Sequence, residues 1–143
     1  LRSVFLTVSY GRIELVYILV VTYLTDTGAY FAGYFFGKNK LNERISPKKT
    51  IEGAIGGWAV GALSGLVFAY FLVDRLPFSF LVVTSLILPI VAQLGDLAFS
   101  SIKRYFNIKD FGMVFPAHGG VLDRIDSLLF SLMTFYVLIV LLV

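Results

Sequence analysis

The chain has 143 residues, of which 58% are hydrophobic and only 15% are charged, and its mean hydropathy is +0.87. A soluble domain normally carries about 25% charged residues, so this composition predicts a membrane protein and argues against a soluble one. The sequence contains no cysteine, which excludes disulfides and thiolate metal sites. The formal net charge is +3, and the positions of the charges are more informative than their sum.

Four stretches are long and apolar enough to cross a bilayer, whose hydrocarbon core of about 30 Å requires roughly 20 residues of helix. They cover residues 13–37, 53–73, 77–102 and 121–143. Because every backbone polar group in lipid needs a partner within the protein, each stretch is predicted to be a helix. The predicted fold is therefore all-α, a polytopic membrane bundle of about four transmembrane helices, forming a single domain over residues 1–143. No methionine opens the chain, so it is expected to be part of a longer protein.

Most of the basic residues lie in two loops, one after the first span and one after the third. They are Lys38, Lys40, Arg44, Lys48 and Lys49 in the first loop, and Lys103, Arg104 and Lys109, with Arg124 beyond them, in the other. The loop between the second and third spans has only Arg75. Loops rich in Lys and Arg stay in the cytoplasm, which predicts that the two basic loops are cytoplasmic. Attraction to anionic lipids would also explain the first loop.

Small residues recur at every fourth position in two of the spans. They are Ala29, Gly33 and Gly37 in the first span and Gly53, Gly57, Gly61 and Gly65 in the second. Such a stripe lets two helices approach closely. It is predicted to serve helix packing rather than ligand binding, and the stripe of the second span is a candidate face for association of two copies.

Four aspartates lie within the predicted spans or at their ends: Asp26, Asp96, Asp123 and Asp126. At 1.5 Å per helical residue, Asp26 lies about 18 Å and Asp96 about 10 Å from the next basic loop. A carboxylate in lipid costs at least ~2.5–3.5 kcal/mol, so acids in spans usually have a function. Asp123 and Asp126 are three residues apart and share a helix face. We predict that Asp96, Asp123 and Asp126 bind a metal, and oxygen ligands without cysteine suit Mg²⁺.

Other roles remain open for these acids. Asp123 could stabilise the N-terminus of its helix through the helix dipole, which is worth about 0.3–1 kcal/mol, or it could pair with Arg124. Asp26 could be satisfied by the neighbouring hydroxyl of Thr25 or Thr27.

The basic loops and a pair of glycines supply groups that a phosphate requires. The bases are Lys48, Lys49, Lys103, Arg104, Lys109 and Arg124. Gly119 and Gly120 precede the last helix, where free backbone N–H groups favour an anion. His118, the only histidine, is either a loop residue bonded to the backbone or a group that acts on a phosphate or a proton.

The stretch SSIKRYFNIKDFGMVFPAHGGVLDRID, residues 100–126, resembles the signature of phosphatidate cytidylyltransferases, also called CDP-diacylglycerol synthases. The matching positions are Ser100, Lys103, Arg104, Lys109, Asp110, Gly112, Pro116, His118, Gly119, Gly120, Asp123, Arg124 and Asp126. The stretches TDTGAYFAGYFFGK, ISPKKTIEGAIGG and QLGDLAFSSIKR are similar to the same family. The resemblance covers nearly all of residues 26–126. Family members are longer, with additional N-terminal spans, so the chain resembles their C-terminal catalytic portion.

This resemblance implies an enzyme of phospholipid biosynthesis, a Mg²⁺-dependent nucleotidyltransferase that converts CTP and phosphatidic acid to CDP-diacylglycerol and pyrophosphate. A second cation is left open. The catalytic residues implied are Asp96, Asp123, Asp126, Lys103, Arg104 and His118. The residues expected to bind substrate are Lys48, Lys49, Lys109, Gly119, Gly120, Arg124 and Asp26. A homodimer without a nucleic-acid partner is expected, multi-pass in the cell inner (plasma) membrane, with its active site facing the cytoplasm.

Two other functions are compatible with acids inside spans. A related CTP-using membrane enzyme, such as a polyprenol or phytol kinase or an archaeal-lipid cytidylyltransferase, would share much of the chemistry, but the complete signature argues against it. An ion-coupled transporter would use the acids to carry H⁺ or Na⁺. Such a transporter has little use for Arg124, Lys103 and Arg104 beside its acids.

Overall fold

The computed structural model describes residues 11–107 and 122–142, with the side chains of the last helix described from Ser127 onwards. Its elements are α1 (Arg12–Phe36), β1 (Lys40–Asn42), β2 (Ser46–Thr50), α2 (Ile51–Leu72), α3 (Phe78–Tyr105) and α4 (Leu122–Leu142). The four predicted spans are confirmed as helices. By length and composition, α1, α2 and α3 can each cross a membrane, and the part of α4 from Ser127 to Leu142 is a shorter apolar helix.

The apolar core occupies one half of the bundle. It joins the first half of α1 to the second half of α2, the first half of α3 and the second half of α4, and its largest members are Tyr17, Ile18, Leu81, Leu88 and Phe135. The buried Tyr17 hydroxyl contacts the hydroxyl oxygens of Thr84 and Ser85 at 2.9 and 2.7 Å. Since lipid offers no hydrogen bonds, this polar group is satisfied inside the protein.

The glycine stripe of α2 serves helix packing, as predicted. All four glycines lie against α1, and Gly61 and Gly65 also face α3. Gly53, Gly57, Gly61 and Gly65 are all buried. A Cβ atom placed on Gly57 would lie 2.7 Å from the Cβ of Ala29 and 2.8 Å from the carbonyl oxygen of Thr25. The stripe is therefore covered within the chain, and its assignment as a candidate face between two copies is wrong. The two helices of one bundle already use the close approach that small residues permit.

The segment between α1 and α2, which the sequence analysis treated as a loop, forms a two-stranded antiparallel hairpin. Its strands pair Lys40 with Thr50 and Asn42 with Ser46. The Oδ1 atom of Asn42 accepts from the backbone N–H of Arg44 at 3.1 Å and closes the turn, as Asn side chains commonly do. The strands are short and polar, so no apolar alternation marks them in the sequence.

Glu52 and Thr50 attach the hairpin to the bundle. The Glu52 carboxylate accepts from the backbone N–H groups of Lys38 and Asn39, and from the side-chain amide of Asn39 at 2.7 Å. Thr50 is the N-cap of α2, and its hydroxyl oxygen accepts from the backbone N–H of Gly53 at 3.1 Å. The Thr50 bond satisfies an N–H group that the start of α2 leaves open. Together with the Glu52 bonds it holds the hairpin beside the end of α1 and the start of α2.

We predict that Gly57→Leu destabilises the bundle by about 1–3 kcal/mol, because the new side chain forces α1 away from α2. Gly57→Ala is expected to cost less. Thermal unfolding in detergent measures both effects. The matched control is Val67→Leu on the same helix, where the side chain is 58% exposed. Equal melting temperatures for Gly57→Leu and Val67→Leu would contradict the assigned packing role.

Candidate functional site

A cavity of about 750 Å³ lies in the half of the bundle away from the apolar core. Its walls come from the second half of α1, the hairpin, the start of α2, the second half of α3 and Ser127 of α4. Its charged lining residues are Asp26, Lys40, Lys48, Lys49 and Asp96. Acids from two membrane helices and bases from the hairpin thus share one cavity.

Asp96 of α3 forms an ion pair with Lys49 of β2. The two side chains are 33% and 28% exposed, so water screens the pair less than it would on an open surface. Lys49 thereby compensates a carboxylate that would otherwise be costly inside a membrane helix. The structure joins two of the predicted site residues, which are 47 positions apart in the chain.

Asp26 of α1 faces the same cavity and is bonded to α4. The Ser127 hydroxyl donates to its Oδ2 atom at 3.2 Å. The Thr25 and Thr27 hydroxyls donate instead to carbonyl oxygens one turn earlier in α1, at 2.7 and 2.8 Å. A hydroxyl has a single hydrogen to donate, so the interpretation that Thr25 or Thr27 satisfies Asp26 is wrong.

The predicted basic residues fall into two groups. Lys48 and Lys49 line the cavity, whereas Lys103 and Arg104 at the end of α3 are not among its lining residues. Arg104 donates from Nε to the carbonyl oxygen of Ile45 at 3.4 Å, which connects α3 to the hairpin turn. Lys103 is half-buried and has a bonding partner. The structure therefore brings the lysines of the first basic loop to the acids, and leaves the two bases of α3 outside the cavity.

Other predicted residues lie outside the part of the chain that the structure describes. Lys109, His118, Gly119 and Gly120 fall within residues 108–121. Asp123, Arg124 and Asp126 fall in the first two turns of α4, whose backbone is helical as expected and whose side chains are not described. The roles of these residues stay predictions.

Several residues that line the cavity are not among the predicted site residues: Tyr23, Tyr30, Tyr34, Lys40, Gln93 and Ser127. Helical spacing could have found half of them, since Tyr23, Tyr30 and Gln93 lie three or four positions from Asp26 or Asp96. Gln93 also donates from its amide to the carbonyl oxygen of Ala54 at 3.1 Å, so α3 and α2 are bonded beside the cavity. Finding Lys40 required the hairpin register, which places it opposite Thr50.

The described residues can be compared with what a metal ion requires. Among residues 11–107 and the described side chains of α4, no three His, Cys, Asp or Glu residues are grouped closely enough to hold an ion. Asp26 and Asp96 nevertheless offer carboxylate oxygens to the cavity. Mg²⁺ is usually bound by one or two carboxylates together with waters and substrate phosphates, so this donor set fits that cation.

The sequence profile of the cytidylyltransferase family matches residues 3–142. The chain belongs to this family. It is 42% identical over 132 residues to a phosphatidate cytidylyltransferase of Bacillus subtilis, covering 92% of this chain and 49% of that protein. It is 44% identical over 134 residues to one of Staphylococcus haemolyticus, covering 94% and 52%. The chain thus spans about half the length of these relatives.

One solved structure shares the fold. It is described as an intramembrane enzyme for archaeal membrane lipids biosynthesis, and it matches with a TM-score of 0.59 at 23% identity over 85% of this chain and 77% of its own. At this identity the likeness concerns the fold alone. The likeness confirms the predicted all-helical bundle. The helices α1, α2 and α3 are long and apolar enough to cross a bilayer, which supports the predicted membrane protein.

We predict that Lys49 and Asp96 stabilise the bundle jointly. Lys49→Met and Asp96→Asn, alone and combined, should show non-additive losses of stability in a double-mutant cycle. The coupling should be about 1 kcal/mol, the upper range for partly exposed ion pairs. Thermal unfolding of the purified protein and its variants measures this coupling. Lys48→Met is the matched control, because Lys48 lines the same cavity but is not the partner of Asp96. Strictly additive effects would show that the pair contributes nothing.

Proposed function

We propose that this member of the cytidylyltransferase family transfers CMP from CTP to phosphatidate, forming CDP-diacylglycerol and pyrophosphate, and that the chain is the C-terminal catalytic portion of the enzyme. The observation that carries the proposal is the cavity itself, in which hairpin lysines face acids from two apolar helices. The names of relatives at 42–44% identity support the choice of substrates.

The hairpin suits the nucleotide. Lys40, Lys48 and Lys49 line one side of the cavity, and ammonium groups bind phosphate oxygens through charge-assisted hydrogen bonds. The hairpin also lies at the end of the bundle, where a water-soluble substrate has access. An ion-coupled transporter would have no need of three lysines beside its acids.

The helices suit the lipid. The cavity continues from the hairpin down to Asp26 and Gln93, which lie well inside the sequence of α1 and α3. A lipid anchored by its acyl chains presents its phosphate near the boundary between hydrocarbon and water, so the phosphate would enter the cavity at its hairpin end, above the depth of Asp26 and Gln93. CTP from the water and phosphatidate from the bilayer can therefore meet in this one cavity.

The chemistry needs positioning more than it needs a strong base. An oxygen of the phosphatidate phosphate forms a bond to the α-phosphorus of CTP, and the bond from that phosphorus to the β-phosphate oxygen breaks, so that pyrophosphate leaves. The attacking phosphate is already anionic near neutral pH, and His118 is therefore not required as a base. Lysines that hold the triphosphate in line with the lipid phosphate would lower the entropic cost of bringing the two reactants together, and so raise the rate.

Asp96 with Asp123 and Asp126 would hold Mg²⁺, and a second cation is compatible with the number of acids. A bound cation would neutralise charge on the phosphates and act as a Lewis acid. Asp26 and the hairpin lysines would bind and orient the substrates around it. These metal roles rest on the donor chemistry of the site and on the resemblance of the Asp123–Asp126 turn to the family signature.

The protein would lie in the cell inner (plasma) membrane with the hairpin and the cavity mouth on the cytoplasmic side. The basic residues of the hairpin support this orientation. A homodimer stays a prediction. Since the glycine stripe of α2 is covered within the chain, a dimer would have to use another face.

The decisive experiment supplies labelled CTP and phosphatidic acid in mixed micelles to the purified full-length protein that contains this chain. CDP-diacylglycerol should form with Mg²⁺ and not in excess EDTA. We expect Asp123→Asn and Asp126→Asn each to lower kcat at least ~100-fold, the size of effect seen when a group that stabilises transition-state charge is removed. Asp96→Asn should behave similarly.

The control for these variants is Asp74→Asn, which changes an exposed acid in the loop between α2 and α3. It should retain the wild-type rate. Asp74→Asn, Asp123→Asn and Asp126→Asn should also retain the wild-type melting temperature, whereas Asp96→Asn should show the small loss expected from its ion pair with Lys49. Full activity in EDTA would refute the metal assignment. Wild-type kinetics for Asp123→Asn would show that Asp123 and Asp126 only cap the helix or pair with a base. Transfer of CMP to another lipid and not to phosphatidate would refute phosphatidate as the acceptor substrate.

The orientation is testable by labelling. Single cysteines replace Glu43 in the hairpin turn and Asp74 in the loop between α2 and α3, both of which are exposed, in a background with no other cysteine. An impermeant maleimide applied to intact cells should label position 74 and leave position 43 unlabelled until the cells are opened. The reverse pattern would invert the topology.

A further inference from the structure

Ser127 connects the cavity to the interior of the bundle. Its side chain is only 4% exposed, yet the residue lines the cavity. Its hydroxyl donates to Oδ2 of Asp26 across the gap between α4 and α1, at 3.2 Å. A half-buried carboxylate on the cavity wall is thus held by a buried hydroxyl from another helix.

A second bond between the same two helices lies one turn deeper. The Ser131 hydroxyl donates to the carbonyl oxygen of Ser127 at 3.0 Å, and the Thr22 hydroxyl donates to Oγ of Ser131 at 3.0 Å. Ser131 and Thr22 are completely buried. Polar side chains commonly join membrane helices in this way, and the two contacts fix how α4 sits along α1.

The two serines differ in one respect. The Ser127 hydroxyl bonds to a carboxylate that faces the cavity. Among the described residues, the Ser131 hydroxyl bonds to Thr22 and to its own helix, and Ser131 does not line the cavity. The backbone of α4 carries Asp123 one turn before Ser127. The bond from Ser127 therefore connects the Asp26 carboxylate to the turn of α4 that bears the signature acids.

We propose that Ser127 is a positioning residue for the transfer reaction, which orients the Asp26 carboxylate through its hydroxyl. The inference rests on the proposed function of the cavity. Without this donor, the Asp26 carboxylate loses its bond to the Ser127 hydroxyl of α4, and its oxygens are held less firmly in the direction that this bond sets. Small losses of alignment at a reacting centre are costly in rate.

The test compares Ser127→Ala, Asp26→Asn and the double variant in the full-length protein, with Ser131→Ala as the matched control. Ser127→Ala should lower kcat/KM by about 10-fold, the lower end of what a hydrogen-bonded supporting residue contributes at a functional site. The double variant should be no worse than Asp26→Asn alone, because Ser127 acts through Asp26. Ser131→Ala should lower the melting temperature without lowering kcat/KM.

A variant that keeps a hydroxyl separates alignment from packing. Ser127→Thr should recover most of the activity that Ser127→Ala loses. If Ser127→Ala does not accumulate, Ser127→Cys fills nearly the same space with a much weaker donor and replaces it in the cycle. Unchanged kcat/KM in the variant without the hydroxyl, equal loss in Ser131→Ala, or a further loss on the Asp26→Asn background would each overturn the proposal.

Failure of the proposed function would look different. Wild-type protein that forms no product from CTP and phosphatidate refutes that function. The bond between Ser127 and Asp26 is then tested by melting temperatures of the same cycle. Non-additive shifts would support the contact, and additive shifts would overturn it.

Discussion

The close approach of α1 and α2 is the contact on which the rest of the site depends. A Cβ atom on Gly53 would lie 2.8 Å from the carbonyl oxygen of Ala29, so a larger residue there would part the two helices. Where the helices meet, Thr50 caps α2 and also lies near Gly33 of α1. The hairpin that precedes Thr50 is therefore placed by helix packing, and its lysines reach the cavity because α1 and α2 touch along their length.

One half of the bundle holds the apolar core, and the other half holds the cavity. One half is filled by interlocking apolar and aromatic side chains around Tyr17 and Phe135, whose ring centroids lie 6.1 Å apart. The other half keeps a cavity lined by acids, lysines and tyrosines. Because α1, α2, α3 and α4 all run through both halves, the packed half can hold the helices in place while the other half stays open.

Hydrophobicity alone was enough to predict the helices, because a bilayer permits few alternatives to a helix of about 20 residues. The glycine stripe likewise predicted close packing, although not which partner it would use. Hydrophobicity could not predict the hairpin, since its strands are short and polar and carry no apolar period. Within the site, the type of residue identified Asp26, Asp96 and Lys49, but their partners depend on how distant segments fold together. The pairing of Asp96 with Lys49 and of Asp26 with Ser127 joins positions 47 and 101 residues apart.

The ion pair between Lys49 and Asp96 also has a consequence for biogenesis. Lys49 precedes Asp96 in the chain, so during synthesis the ammonium group emerges before the acid that it will neutralise. When α3 is synthesised, its counter-charge is already present in the segment that leads into α2. A helix that carries a carboxylate is costly to insert, and an earlier segment of the same polypeptide offsets this cost. The lysine therefore precedes the aspartate that it neutralises.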